Sequence, residues 1–170
     1  MAATNPMQSG TQPTPQKVTT FLWFNDNAEE AAKFYCSVFK NSRIVSTTPK
    51  PESVPGPNVS VLTVDFELDG QRFAALNGGP QFKFTEAISL VVNCDTQEEI
   101  DYFWEKLSEG GQQVECGWLK DKYGLSWQVT PSNWIELLSG DIEKTDRVMK
   151  AVMQMKKLDK AEMERAAAGR

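Results

Sequence analysis

Apolar and polar positions follow two rhythms in the first half of this chain. From Val18 to Phe24 a Thr- and aromatic-rich run reads as a strand. Asn25, Asp26 and Asn27 follow, and one of them is placed to cap a helix through its side-chain oxygen. Ala28, Ala31, Phe34, Tyr35 and Val38 then recur at three- and four-residue steps through Lys40. That spacing predicts a helix with one buried stripe, and Glu29 and Glu30 suit its positive end. Arg43 to Thr48 reads as a strand, and Pro49 to Pro57, rich in proline, as a loop. From Val59 to Leu68 the pattern switches to strict alternation. Val61, Thr63, Asp65 and Glu67 fall on one side, and Leu62, Val64, Phe66 and Leu68 on the other. A half-buried strand is expected there. Asp69-Gly70 marks a tight hairpin, Gln71 to Leu76 returns as its partner, and Asn77-Gly78-Gly79-Pro80 closes the unit.

The second half starts at Phe82. Ala87 to Val92 reads as a strand. Thr96 to Glu109 reads as a helix with Ile100, Phe103, Trp104 and Leu107 inward, stopped by Gly110-Gly111. Gln113 to Leu119 and Leu125 to Val129 are expected as two strands about a Tyr123-Gly124 turn, which sets Cys116 at a strand centre. Beyond Pro131, Trp134 to Leu138 predicts a short helix. Ile142 to Met155 predicts a longer one with Ile142, Val148, Val152 and Met155 as its stripe, and Ala161 to Ala168 a polar one. Residues 1–16 hold almost no large apolar side chain and read as a disordered leader.

The two halves repeat. A shift of 69 residues lays Asp26 on Asp95, Glu29-Glu30 on Glu98-Glu99, Phe34 on Phe103, Tyr35 on Trp104 and Val38 on Leu107. Each copy then ends in a meander with an X-Gly turn. The pattern predicts an α+β fold of paired βαβββ modules over 17–80 and 82–131, within one domain spanning 17–157, with C-terminal helices over 132–168. Each module is too small to bury its own sheet face. The expectation is that the two sheet faces close on one another and leave a cleft, a natural ligand site.

Composition narrows the chemistry. The chain of 170 residues is 40% hydrophobic with five Trp and nine Phe, enough for a real core. It contains no histidine, which removes Ser-His-Asp and Cys-His relays and every imidazole metal site. The net charge is −5 and no basic cluster stands out, so no nucleic-acid partner is expected. Cys36, Cys94 and Cys116 are odd in number and far apart, as free thiols of a reducing compartment would be. No apolar run reaches the roughly 20 residues of a membrane span and no signal peptide is visible, so a cytoplasmic protein without membrane partners is expected.

Several stretches carry a resemblance. Phe21-Leu22-Trp23-Phe24-Asn25-Asp26, Ala28-Glu29-Glu30-Ala31 and Phe34-Tyr35 resemble the opening of the vicinal oxygen chelate superfamily, which includes glyoxalase I and the bleomycin and fosfomycin resistance proteins. Asn77-Gly78-Gly79-Pro80, Phe82-Lys83-Phe84, Cys116-Gly117-Trp118-Leu119-Lys120-Asp121 and Ser126-Trp127-Gln128 bring the likeness closest to its PhnB-like subgroup, often labelled 3-demethylubiquinone-9 3-methyltransferase. The resemblance covers roughly residues 17 to 157 and implies the paired-module fold. Metalloenzymes of the superfamily hold a divalent cation on four strand positions, which this resemblance carries onto Thr19, Ala74, Ala87 and Gln128. Only Gln128 can coordinate, so the chain resembles a metal-free member. The methyltransferase label implies S-adenosylmethionine, yet Gly78-Gly79 and Gly110-Gly111 close a strand and a helix rather than opening a helix after a strand. No cofactor is expected.

By alternation Thr19, Phe21 and Trp23 share the face turned toward the expected cleft, with Ala87, Ser89 and Val91, and with Ser126, Gln128 and Thr130. Phe21 and Trp23 are suited to stack on a flat ligand and Gln128 to orient it. Ordinary core is the competing reading of the same aromatics. Asp65 and Glu67 form a possible acid–base pair but read better as a solvated strand face. Lys120-Asp121-Lys122 reads as a solvated turn, Cys116 lacks the cation a reactive thiol needs apart from Lys120, and Tyr35 reads as core. No residue stands out as catalytic. The chain is thus expected to bind an apolar or aromatic small molecule without metal, at Thr19, Phe21, Trp23, Ala74, Ala87, Ser89, Ser126 and Gln128. An enzyme of the same superfamily, lyase- or isomerase-like or a methyltransferase, is the alternative. A homodimer is expected, with Val148, Val152 and Met155 contributing to its interface.

Overall fold

The computed structural model describes residues 16–170. The predicted leader lies, apart from Gln16, outside the described residues. Two four-stranded sheets are formed, one per module, and the α+β architecture of paired βαβββ modules with C-terminal helices is present. The first module runs β1 (Thr20–Phe24), α1 (Ala28–Val38), β2 (Arg43–Pro49), β3 (Val61–Leu68) and β4 (Gln71–Asn77). Its sheet has the order β1-β4-β3-β2, with β1 parallel to β4 and the other pairs antiparallel. The second runs β5 (Ser89–Cys94), α2 (Gln97–Ser108), β6 (Gln112–Gln113), β7 (Trp118–Lys120) and β8 (Ser126–Pro131), in the matching order β5-β8-β7-β6. The helices α3 (Trp134–Leu138), α4 (Ile142–Val152) and α5 (Lys160–Ala167) follow.

The repeat of 69 residues carries the first residue of β1 onto that of β5 and the first of α1 onto that of α2. Local chemistry explains most boundaries. Thr96 caps α2 by accepting from the Glu99 amide at 3.2 Å. At α1 none of Asn25, Asp26 and Asn27 fills that role. The Ala28 amide donates instead to Oδ1 of buried Asn77 at 2.8 Å, so the end of β4 caps the first helix from across the sheet.

One expected strand is broken. Gln113 to Leu119 divides into β6 and β7, and Cys116 sits not at a strand centre but in the turn between them, with φ of 61° beside Gly117 at 80°. The cause lies outside the run. The amides of Cys116 and Gly117 donate to the carbonyls of Met155 and Lys156 at 2.8 and 2.7 Å, bonds that a continuous ladder would forfeit.

The modules meet differently from expectation. In each sheet the alternating apolar residues face the helices, and both sets merge into one core. The Tyr35 ring of α1 stacks on Phe66 of β3 at 6.3 Å and reaches Trp127 of β8 at 5.5 Å. Phe39 stacks on both Trp127 and Phe103. The helices therefore form a layer between the two sheets. Each sheet buries its helix-facing side, and the opposite sides point outward, away from each other. An amphipathic stripe dictates that a face be buried but not against which partner.

The C-terminal helices build a second small core from Leu137, Val148, Val152, Leu158, Met163 and Ala166. Val148 and Val152 are fully buried within their own chain and Met155 packs beside them, so this stripe is not free to form a dimer interface. Among the described residues no helix is long and apolar enough to cross a membrane.

Candidate functional site

On the outward face of the first sheet, Phe21 lies beside Ala74 and Trp23 beside Leu76. Phe21 is 59% exposed. Trp23 is held on three sides. Its Nε1–H donates to the Gly79 carbonyl at 2.8 Å, the edge of Phe82 meets its ring at 4.9 Å, and its indole lies over Gly78. A Cβ at position 78 would come within 2.3 Å of two indole carbons, so the flat seat exists only because that residue has no side chain. The result is a rigid aromatic shelf beside the small Ala74. Thr19 precedes β1 and is exposed, outside this shelf's strands.

The outward face of the second sheet is more polar. Register sets Ser89 of β5, Ser126 of β8 and Lys120 of β7 in one row, and Val91, Gln128 and Trp118 in the next. Gln128 Nε2 donates to Ser89 Oγ at 2.8 Å, which leaves the amide oxygen as an acceptor. Ser126 is buried, and its hydroxyl has no hydrogen-bond partner among the described residues. Ser126 lines a cavity of about 370 Å³ together with Glu86, Gln112, Val114, Trp118 and Lys120. Lys120 pairs with Glu86 and holds that exposed carboxyl below its usual range, mainly through their hydrogen bond. Ala87 lies in the exposed turn before β5.

The structure therefore groups Phe21, Trp23 and Ala74 on one face and Ser89, Ser126 and Gln128 on the other, with the helix layer between. Two further hollows, of about 540 and 550 Å³, lie between α1 and α2 and at the start of α1.

Two charged positions, Glu67 and Asp121, differ from expectation. Glu67 is not solvated: it lies buried between Arg43 and Arg72, with bonds of 2.9 and 3.2 Å. Asp65 accepts from Ser46 at 3.1 Å, so the two carboxylates do not act as a free pair. Asp121 is not a solvated turn residue either. Its carboxylate takes Tyr35 Oη–H at 2.7 Å, Trp127 Nε1–H at 2.8 Å, and the amides of Tyr123 and Leu125 at 2.8 and 3.1 Å. Burial pushes its carboxyl above the usual range, against the pull of those four donors. The fully buried Tyr35 phenol is likewise raised, by burial first and by Asp121 second. No periodicity marks Asp121, since its burial comes from α1 arriving from the other module. Burial also pushes the Cys94 thiol up to about 12, which suits an inert core residue.

The superfamily's metal and the label's cofactor both meet unsuitable residues. Thr19, Ala74, Ala87 and Gln128 offer one hydroxyl, two methyl groups and one neutral amide oxygen. Such a donor set does not fit a first-row divalent cation. Among the described residues no three His, Cys, Asp or Glu side chains converge as metal ligands. The strand-to-helix turns, Asn25 to Asn27 and Asp95-Thr96, carry no glycine, and the sheets are not doubly wound, so the usual cradle for S-adenosylmethionine is missing among the described residues.

Residues 16–130 match the family described as 3-demethylubiquinone-9 3-methyltransferase. The chain belongs to this family. It is thereby PhnB-like and a member of the glyoxalase/bleomycin resistance superfamily. Among solved structures it is similar to a putative 3-demethylubiquinone-9 3-methyltransferase, PhnB protein, from Bacillus cereus, at 43% identity and a TM-score of 0.63, covering 68% of this chain and 99% of that one. The protein PA1353 from Pseudomonas aeruginosa shares the fold at 18% identity and a TM-score of 0.59, over 69% and 98% of the two chains. The fosfomycin resistance protein FosX from Listeria monocytogenes shares it at 18% identity and 0.50, over 79% and 100%. No curated protein sequence matches the chain. The family match ends before α3, so the three C-terminal helices are an addition to the matched domain.

Proposed function

We propose that this PhnB-like protein binds a small apolar or aromatic molecule without a metal ion, in a cleft that two copies of the chain complete. The observation that carries the reading is the aromatic shelf: an indole fixed by Gly78 and Gly79 on an outward face, next to a Phe21 that is more than half exposed. A core tryptophan needs no such seat. Exposed Phe82, Ile88 and Val91 border the two outward faces at 65%, 74% and 50%, and a monomer gains nothing by leaving them in water. Setting the first sheet of one copy against the second sheet of another covers these residues and joins the shelf to Gln128. The unsuitable donor set supports metal independence. The free thiols support a cytoplasmic home, and the negative charge argues against a nucleic-acid partner.

Titration with the neutral fluorophore N-phenyl-1-naphthylamine tests the reading. Saturable binding is expected, unchanged after dialysis against a chelator. Phe21→Ala should weaken it by about tenfold, the equivalent of ~1.4 kcal/mol. Binding that disappears with chelation, or that ignores Phe21, overturns the proposal.

A further inference from the structure

The polar row on the second sheet has a chemistry that a purely apolar ligand does not use. Ser89, Ser126 and Lys120 are register neighbours across three strands, and the cavity of about 370 Å³ opens over two of them, with Trp118 in its wall. Two features there call for an acceptor. The Ser126 hydroxyl is buried and has no partner among the described residues, an arrangement that folded proteins rarely leave unsatisfied. The Lys120 ammonium is answered by Glu86, whose side chain is 62% exposed and sits in the turn before β5, so it can swing into water at little cost. Gln128 in the next row spends an amide N–H on Ser89, so Lys120 and Ser126 are the donors left for an acceptor in this row.

Resting on the proposed small-molecule function, we infer that this row is a carboxylate subsite and that the ligand is an aromatic acid. The ligand carboxylate replaces Glu86 on Lys120 and accepts the Ser126 Oγ–H, while its ring extends past Trp118 toward the aromatic shelf of the second copy. Glu86 thereby acts as a built-in competitor that keeps the ammonium paired until an acid arrives. The charge-assisted bond to Lys120 gives selectivity for the acid over an uncharged analogue of the same shape. The Ser126 bond fixes which way the carboxyl points.

Calorimetric titration of the full chain with 2-naphthoate and with 2-naphthamide reads this directly. The acid is expected to bind at least about tenfold more tightly than the amide. Lys120→Met should erase that preference by bringing the acid's affinity down to the amide's. Ser126→Ala should weaken the acid by a few-fold. Glu86→Gln, a conservative change at an exposed turn that leaves folding intact, should tighten the acid several-fold because the competitor loses its charge. Equal affinity for acid and amide, or no gain in Glu86→Gln, overturns the carboxylate subsite while leaving the aromatic-binding reading in place. Failure of 2-naphthoate, 2-naphthamide and the neutral fluorophore alike overturns both.

Discussion

Four donors converge on the carboxylate of Asp121, two from side chains of different modules and two from its own turn. This one residue ties α1 to the second sheet. Its folded pKa lies above the ordinary value because burial outweighs the hydrogen bonds. The native state therefore holds this proton to higher pH than the unfolded chain does. The stability linked to the group is full below about pH 3.9 and declines as pH rises through the higher folded value. Mild acid should not unfold the protein through Asp121. Asp121→Asn removes that slope and sets an amide N–H₂ against donors, at a cost of roughly 1–3 kcal/mol that shrinks as pH rises. Urea denaturation of both proteins between about pH 3.5 and 7 measures it. A wild-type contribution that grows with pH would show that the four donors outweigh burial.

At the scale of elements, the β6–β7 turn and the C-terminal helices depend on each other. Gly117 takes φ of 80°, and a Cβ there would lie 2.9 Å from the Val129 carbonyl and 3.0 Å from Leu158. Gly124 takes a similar φ of 86° with nothing near its missing side chain. Gly124→Ala should cost about 1 kcal/mol of backbone strain alone, and Gly117→Ala about 2–4, both read by chemical denaturation. Equal losses would mean that the helices tolerate displacement from the turn. The turn also marks the limit of what the sequence reveals. Most strands and helices announce themselves by period: Val64, Phe66 and Leu68 alternate, and Ile100, Trp104 and Leu107 step by a helical turn. The membership of the outward faces was equally legible, because Phe21 with Trp23 and Ser126 with Gln128 are two apart on strands. Thr19 and Ala87 extrapolate the same alternation past the strand ends, into exposed connections. The Cys116-Gly117 break has no local signal, for it is imposed by Met155 and Lys156 from far along the chain. The arrangement of the modules was hidden for the same reason.

For the whole molecule, the decisive fact is the helix layer between the sheets. It separates Phe21 and Trp23 from Gln128 and Ser126 within one chain. In the proposed dimer each cleft takes its shelf from one copy and its polar row from the other, related by a twofold axis. Gel filtration should find a dimer at micromolar concentration. Phe21→Ala and Gln128→Ala, each weak alone in binding the fluorophore, should regain it on mixed refolding. A random mixture holds intact about a quarter of its clefts, all in mixed dimers. No recovery would mean that each cleft is built within a single chain. The same architecture has a meaning for inheritance. Two damaged copies of the gene, one harmed in each half, would rescue one another in a single cell, whereas two lesions in the same half would not.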